Sequence, residues 1–280
     1  MGDKADEWAA AVPKYSVIIP AYNEADRIER TLREYADEFS DGELIVVLNA
    51  CTDETADTVY RVRTPRLRAI QIKQGIGKGG AVRAGFLLAR APLVGYVDAD
   101  GSTPAREMRR LFGLLADAHA AIGSRWIAGA RLDPPQPIVR RVASRTFNLL
   151  ARTLTRLPFS DTQCGAKTFR ADALAAVLPS VETANFAFDV DLLAALARRG
   201  ARILEAPIEW HDRSVSRLRV VSASLRMAAA LARLAIVRSN ASWMLPVFDR
   251  LIPTGSMTAQ QVRAACSSGV MLQIPEPEET

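Results

Sequence analysis

Leu93-Val-Gly-Tyr-Val-Asp-Ala-Asp-Gly-Ser-Thr103 places two aspartates one residue apart where an apolar run ends. In a strand, side chains two apart point to the same side, so Asp98 and Asp100 would repel each other unless a cation lay between them. If the strand stops there and the chain turns, both carboxylates can converge on one ion. Taken alone, the same residues also suit a helix cap at Asp98 and an Asx turn at Asp100. The surrounding chain decides between the two.

Upstream, the chain alternates. Tyr15-Ser-Val-Ile-Ile19 is a β-branched run closed by Pro20, and Ile28, Leu32, Tyr35 and Phe39 follow at helical spacing. Leu44-Ile-Val-Val-Leu48 and Arg68-Ala-Ile-Gln-Ile72 read as the next two strands, each followed by a polar loop and a helix. The stretch quoted first is then the fourth strand, and Pro104 suits the opening turn of the helix after it. This alternation predicts an α/β fold with a mainly parallel, Rossmann-like sheet and helices on both faces. Ligands of such sheets bind at the carboxyl ends of the strands, the edge on which loops 22–24, 49–53, 75–80 and 98–103 all fall.

Downstream of Gly123-Ser-Arg125 the pattern loosens into a proline-rich loop at 133–137 and a long helix with arginines. A polar turn at 160–165, a strand around Lys167-Thr-Phe169, a helix opening at 185–191 and a strand at 201–206 follow. Residues 15–218 carry no repeat or linker and are expected to form one domain, after an N-terminal segment at 1–14. Residues 219–272 form a C-terminal helical segment. The polar, proline-rich 273–280 is expected to be disordered.

Composition narrows the classes. A chain of 280 residues with 49% hydrophobic and 24% charged residues reads as globular rather than disordered. Three scattered cysteines with no CxxC pair indicate neither a disulfide framework nor a thiolate zinc site, and fit a reducing, cytoplasmic setting. No run reaches the roughly 18 apolar residues of a membrane span, and the N-terminus does not read as a signal peptide. A net charge of +5 is a mild excess that gives no reason to expect a nucleic-acid partner. Residues 219–238 place Arg219, Arg226 and Arg233 in heptads against valine, leucine and isoleucine, the profile of a basic amphipathic helix. A helix packed on the core with its arginines in water is the competing reading.

Paired aspartates at a strand end beside a glycine- and lysine-bearing loop suit Mg2+ or Mn2+ bridging a diphosphate, because these hard cations take one or two carboxylates plus phosphate oxygens. Gly75-Ile-Gly-Lys-Gly-Gly80 is neither a complete Walker sequence nor GxGxxG. Its backbone amides at a helix start, with Lys78, can still hold an anion.

Val17-Ile-Ile-Pro-Ala-Tyr-Asn-Glu24, Asn49-Ala-Cys-Thr-Asp-Glu-Thr55, GKGGAVRAG, VDADGST, Gly123-Ser-Arg125, DTQCGAKTF and FAFDVDLL together resemble, in this order, family 2 glycosyltransferases of GT-A fold. Within that family they resemble the branch of dolichyl-phosphate glucosyltransferases and dolichyl-phosphate mannose synthases. The resemblance implies a donor site for a nucleotide-diphosphate sugar at Pro20, Tyr22, Glu24, Asn49, Lys78, Asp98 and Arg217, with Asp98 and Asp100 on the metal. Two aspartates are common in the family's second loop, where this chain has Leu48 and Asn49, so the choice between uridine and guanosine stays open. Asp161 and Asp189 would line the acceptor side and, with Asp100, form the catalytic set. Arg125, Arg141 and Arg145 would grip an acceptor phosphate; for Arg141 and Arg145 a solvated helix face is the alternative.

The implied reaction is an inverting transfer of a hexose to a polyprenyl or dolichyl phosphate, reached by peripheral contact of residues 219–238 with the cytoplasmic face of a membrane. A soluble or polymeric hydroxyl acceptor is the nearest rival and would make Asp161 or Asp189 an obligatory base. A nucleotidyltransferase would carry a glycine-rich, arginine-bearing loop after the first strand, where Ala21-Tyr-Asn-Glu24 stands instead. A catalytically silent sugar-nucleotide binder is the alternative from another class. His211, without a partner at ligand spacing, reads as structural.

Overall fold

Strand β1 (Tyr15–Ala21) is buried along almost its whole length, and its side chains alternate between two interiors. Val17 and Ile19 face one side, where they meet Ile28, Leu32 and Tyr35 of α1 (Ile28–Glu38) and Met108, Leu111 and Phe112 of α4 (Ala105–Gly113). Ile18 faces the other, packed with Val82 and Phe86 of α3 (Gly77–Leu88) and Leu192 and Leu196 of α7 (Phe188–Arg198). A strand covered on both faces has no polar side, which is why its sequence is continuously apolar rather than alternating. The computed structural model describes residues 12–62, 64, 66–135, 138–211, 219–237, 239, 242–251 and 259–272.

The remaining elements of the first half are β2 (Glu43–Asn49), α2 (Thr55–Arg61), β3 (Leu67–Ile72) and β4 (Leu93–Val97). The second half contributes β5 (Ala120–Ser124), β6 (Arg131–Asp133), α5 (Ile138–Thr155), β7 (Ala166–Arg170), α6 (Ala171–Val177), β8 (Ile203–Pro207) and β9 (Glu209–His211). They are followed by α8 (Arg219–Val237), α9 (Leu245–Leu251), α10 (Ala259–Ser267) and β10 (Val270–Leu272). The main sheet runs β10-β3-β2-β1-β4-β7-β5-β8. β1 to β4 are mutually parallel, as β5 is to β8; β7 runs against both β4 and β5, and β10 runs against β3. A short parallel pair, β6 with β9, stands apart.

The expected mixed α/β architecture is therefore observed. β4 ends at Val97, one residue before Asp98, so the paired aspartates occupy the turn rather than the strand. Arg217 and the 273–280 tail lie outside the described residues. The helix expected at 219–238 is α8; of its three heptad arginines only the side chain of Arg233 is described, and it is partly exposed. Ala230, Leu231 and Leu234 of α8 are buried against Phe147 and Ala151 of α5 and Val190 and Leu193 of α7, so the described half of this helix packs its apolar face inward. No helix among the described residues is long and apolar enough to cross a membrane.

Candidate active site

The loops leaving β1, β2, β3 and β4 meet at one edge of the sheet around a cleft of about 660 Å³. Pro20, Tyr22, Glu24, Asn49, Lys78, Asp98 and Asp100 all line it. Hydrogen bonds between loops hold this edge in place. The Asn23 side chain, on a residue at φ 55°, donates to the Thr52 hydroxyl at 3.1 Å and accepts the Thr52 amide at 2.8 Å. The Glu24 amide donates to the Thr55 hydroxyl at 2.8 Å. Asn49, nearly buried, accepts the Ile76 amide at 2.9 Å through its side-chain oxygen. That oxygen fixes the turn into α3, which leaves the amide group of Asn49 as the part able to address a ligand.

The turn carrying the two aspartates is anchored from three directions. The Asp98 amide donates to the Gly165 carbonyl at 3.1 Å, and the His211 amide to the Ser102 carbonyl at 2.7 Å. From α1, the Thr31 hydroxyl reaches the Ala99 carbonyl at 3.0 Å and the Tyr35 hydroxyl the Thr103 carbonyl at 3.1 Å. A Cβ at position 165 would overlap the Asp98 carboxylate, so Gly165 clears the space this side chain occupies. Sequence reasoning valued the 161–169 stretch as a motif but missed that role, which depends on a neighbour 67 positions away in the chain. His211 serves the turn through its backbone amide, and its Nε2 lies 3.2 Å from Glu209 Oε1.

Lys78 Nζ sits 2.6 Å from Asp98 Oδ1. Burial lowers a lysine, but Asp98 first and then Asp189 outweigh it and hold Lys78 firmly protonated. Burial, then the Asp98 charge, raises the Asp100 carboxyl above its ordinary range. Burial likewise raises Glu24, with Arg27 opposing and Asp100 and Asp98 adding to the rise. Three carboxylates therefore face one cleft with more negative charge than Lys78 and Arg27 relieve. Among the described residues no group of three or more His, Cys, Asp or Glu is arranged to hold a metal by itself. An all-oxygen pair of aspartates fits a hard divalent cation that completes its shell with phosphate oxygens of a ligand, rather than one caged by protein alone.

The residues assigned to the acceptor side fall into two groups. Arg125 follows β5 and clamps Asp161 in a two-pronged pair, Nε to Oδ2 at 2.7 Å and Nη2 to Oδ1 at 3.0 Å, with both residues buried. Its guanidinium lies 5.0 Å from the Trp210 ring centroid and 5.6 Å from that of Trp126. Arg125, Trp126, Arg141 and Arg145 line a second cavity of about 250 Å³, and Arg145 stacks over Trp126 at 5.1 Å. The loop bearing Asp161 is held by two buried or half-buried groups that sequence reasoning overlooked. Asn148 of α5 donates to the Phe159 and Ser160 carbonyls at 3.2 and 2.6 Å and accepts the Thr162 amide at 3.0 Å. Glu205 of β8 accepts the Ser160 and Asp161 amides at 2.9 and 2.8 Å.

Asp189, in the first turn of α7, is a separate buried centre. It accepts Lys167 Nζ at 2.5 Å and the Tyr96 hydroxyl, and Lys167 also donates to the Cys164 carbonyl at 2.7 Å. Burial alone would raise the Asp189 carboxyl; Lys167, then Lys78, overcome it and hold it below the usual carboxylate range. Burial pushes the Cys164 thiol up to about 12, so this cysteine stays protonated. Lys167 has no exposed surface, and its one legible signal was a lysine in the middle of an apolar strand, which demands a partner. Phe186, about half exposed, also lines the larger cleft and was read only as part of the α7 motif.

A mainly parallel sheet of this order, with its cleft at the carboxyl ends of β1 to β4, has the layout of a nucleotide-binding α/β enzyme. The chain belongs to glycosyl transferase family 2, whose domain matches residues 16–178. Glycosyltransferase AglD of Haloferax volcanii is 30% identical over 96% of this chain, which spans 43% of that longer protein. Dolichyl-phosphate beta-glucosyltransferase of Dictyostelium discoideum is 30% identical over 78% of this chain and 73% of its own. Undecaprenyl-phosphate mannosyltransferase of Micrococcus luteus is 31% identical over 71% of this chain and 84% of its own. The crystal structure of glucosyl-3-phosphoglycerate synthase from Mycobacterium tuberculosis with Mn2+, UDP and glucosyl-3-phosphoglycerate has the same fold. Its TM-score is 0.64 at 18% identity, over 86% of this chain and 87% of that one.

Proposed function

We propose that the protein transfers a hexose from a nucleotide-diphosphate sugar to a polyprenyl phosphate, with inversion at the anomeric carbon. The observation that carries this reading over transfer to a hydroxyl is the state of the two candidate bases. A general base works best with a pKa near the operating pH and a free lone pair. Asp161 is engaged by Arg125 through both oxygens, and Asp189 is held low by Lys167 and Tyr96. Neither is poised to remove a proton from an alcohol. A phosphate monoester needs no such help, because it is already anionic at neutral pH. Relatives named for dolichyl and undecaprenyl phosphate support the same acceptor class.

In this reading the donor nucleoside lies against Pro20, Tyr22 and Asn49, and the diphosphate lies between Lys78 and the turn at Asp98 and Asp100. Mg2+ or Mn2+ held by these aspartates supplies positive charge to the diphosphate as it departs. Lys78 releases Asp98 and turns to the same oxygens, so charge now paired with Asp98 becomes charge that stabilises the leaving group. Arg125, Arg141 and Arg145 orient the acceptor phosphate, whose oxygen forms the new bond to the anomeric carbon. The old carbon–oxygen bond breaks, and its electron pair leaves with the nucleoside diphosphate.

The test is titration of UDP- and GDP-sugars in the presence of Mn2+, followed by assay of nucleoside diphosphate release on adding a polyprenyl phosphate. Asp161→Asn and Asp189→Asn are expected to keep measurable turnover. Each leaves a buried cation without its counter-charge, so thermal stability is followed alongside. Loss of essentially all turnover in one folded variant, with a hydroxyl acceptor active in the parent, would reassign the enzyme to hydroxyl chemistry. Donor binding with no turnover across a broad acceptor panel would favour a silent binder.

A further inference from the structure

Phe186 is a large apolar side chain held where the core makes no use of it. It is 48% exposed and lines the larger cleft, in company with Glu24, Lys78, Asp98 and Asp100. The residues on either side of it are fixed. Ala184 is buried and accepts the Gly80 amide of α3 at 2.9 Å, while Phe188 is buried in the apolar layer that holds Val82 and Leu192. Within the turn, the Asn185 side-chain oxygen accepts the Ala187 amide at 2.8 Å, and the Asn185 carbonyl accepts the Phe188 amide at 3.1 Å. The turn sits so close to α3 that a Cβ at Gly77 would overlap the Ala184 carbonyl, and one at Gly79 the Phe188 side chain. A ring carried on so constrained a turn is pre-organised, and its exposed apolar face is unfavourable until something in the cleft covers it.

The parts of a nucleotide sugar differ in what they offer such a ring. Pro20, Tyr22 and Asn49, from the loops after β1 and β2, bound the part of the cleft assigned to the nucleoside. Phe186 enters instead from the segment before α7, which is fastened to α3 at Gly80, two residues beyond Lys78. A diphosphate held at Lys78 gains nothing from it, because the face of an aromatic ring is negative. The hexose beyond the diphosphate does gain, since one face of a pyranose is a patch of apolar, slightly positive C–H groups. We propose that Phe186 is the platform on which the donor's hexose lies, its ring against the C–H face of the sugar. The proposal rests on the donor being a nucleotide sugar, and it deepens that reading by assigning a residue to the group transferred rather than to the group that leaves. Phe186 thereby discriminates between donors by their sugar and not by their base.

The experiment is calorimetric titration, in Mn2+, of UDP against UDP-glucose and of GDP against GDP-mannose, for the parent, Phe186→Ala, Phe186→Leu, Phe186→Trp and Tyr22→Ala. For the pair that the parent binds, Phe186→Ala is expected to weaken the nucleotide sugar about tenfold and to leave the bare diphosphate within about twofold of the parent. Phe186→Leu, which keeps apolar bulk without a flat face, should share most of that loss, and Phe186→Trp should restore the parental ratio. Tyr22→Ala is expected to weaken both ligands alike. In turnover with a polyprenyl phosphate, Phe186→Ala should raise the donor KM and leave the acceptor KM where it was. Thermal midpoints report folding, and truncating a half-exposed ring should move them little. Equal loss of UDP and UDP-glucose in Phe186→Ala would place the ring against the nucleoside or the diphosphate and overturn the proposal. Undiminished donor affinity in both Phe186→Ala and Phe186→Leu overturns it too, as does a raised acceptor KM with the donor KM unchanged. A folded parent that binds none of the four ligands would instead overturn the donor reading on which the proposal rests.

Discussion

Gly165 acts through the side chain it lacks. The Asp98 carboxylate occupies the volume a Cβ would fill, and the Asp98 amide hangs from the Gly165 carbonyl. Gly165→Ala is expected to push Asp98 off its position at the cleft and lower kcat/KM by about 100-fold, the scale of an ångström-level misplacement. Calorimetric titration with UDP and Mn2+ should show weakened binding while the thermal midpoint moves little, because the turn has solvent on one side into which Asp98 can shift. Parental nucleotide affinity in this variant would mean that Asp98 does not contact the ligand shell. At this scale the sequence was legible where chemistry is local: Asp98, Asp100 and Lys78 announced themselves by type and spacing, and all three line the cleft. Asn148, Glu205 and Lys167 did not, because each owes its role to partners brought in by the tertiary fold. The pairing of Arg125 with Asp161 was likewise invisible in a reading that gave the two residues different tasks.

Across elements, one side chain joins the starts of β1, β2, β3 and β4. Glu43 is 2% exposed and accepts the Ser16 hydroxyl at 2.6 Å, the Arg90 amide at 2.8 Å and Arg68 Nη1 at 2.9 Å. This cluster lies at the opposite edge of the sheet from the cleft, so its loss should affect stability and leave the chemistry alone. Burial raises the Glu43 carboxyl, but the bonds from Ser16, Arg90 and Arg68 together outweigh it and hold the group below its ordinary value. A carboxyl depressed in the folded state stabilises fully above its unfolded value, and that contribution is lost as pH falls through the folded one. Glu43→Gln is expected to cost about 2 kcal/mol at neutral pH, since the buried Ser16 hydroxyl and the partly exposed Arg68 and Arg90 lose their anionic acceptor. Its unfolding free energy, followed by urea titration, should also fall less steeply than the parent's below about pH 4.5, where the Glu43 carboxyl would otherwise take up a proton. An unchanged acid limb would place the acid sensitivity elsewhere. Strand and helix types were readable from periodicity for β1 to β4 and α1 to α4, whose apolar faces repeat cleanly. The reversed direction of β7 was not, because strand direction depends on which neighbours a segment meets.

For the whole molecule, the outer edge of the sheet is closed from a distance. β10 pairs with β3 through Val270 opposite Gln71 and Leu272 opposite Ala69, and α10 lays Val262 and Ala265 against the apolar layer that contains Ile70, Ile76 and Val82. Composition and motif offered no sign of this return, since residues 259–272 carry no chemistry and too short a pattern to predict a partner strand. Deleting residues 259–280 is expected to uncover an unpaired strand edge and an apolar patch together, and to yield protein that self-associates. Size-exclusion chromatography with light scattering reads the outcome; a monodisperse truncated protein with the parental thermal midpoint would contradict it. The arrangement also bears on biogenesis. While the ribosome is still adding residues after β9, the nascent first half already holds an open β-edge, and only the late arrival of 270–272 seals it. A chain built this way is expected to offer that edge to foreign strands for the interval between those two events.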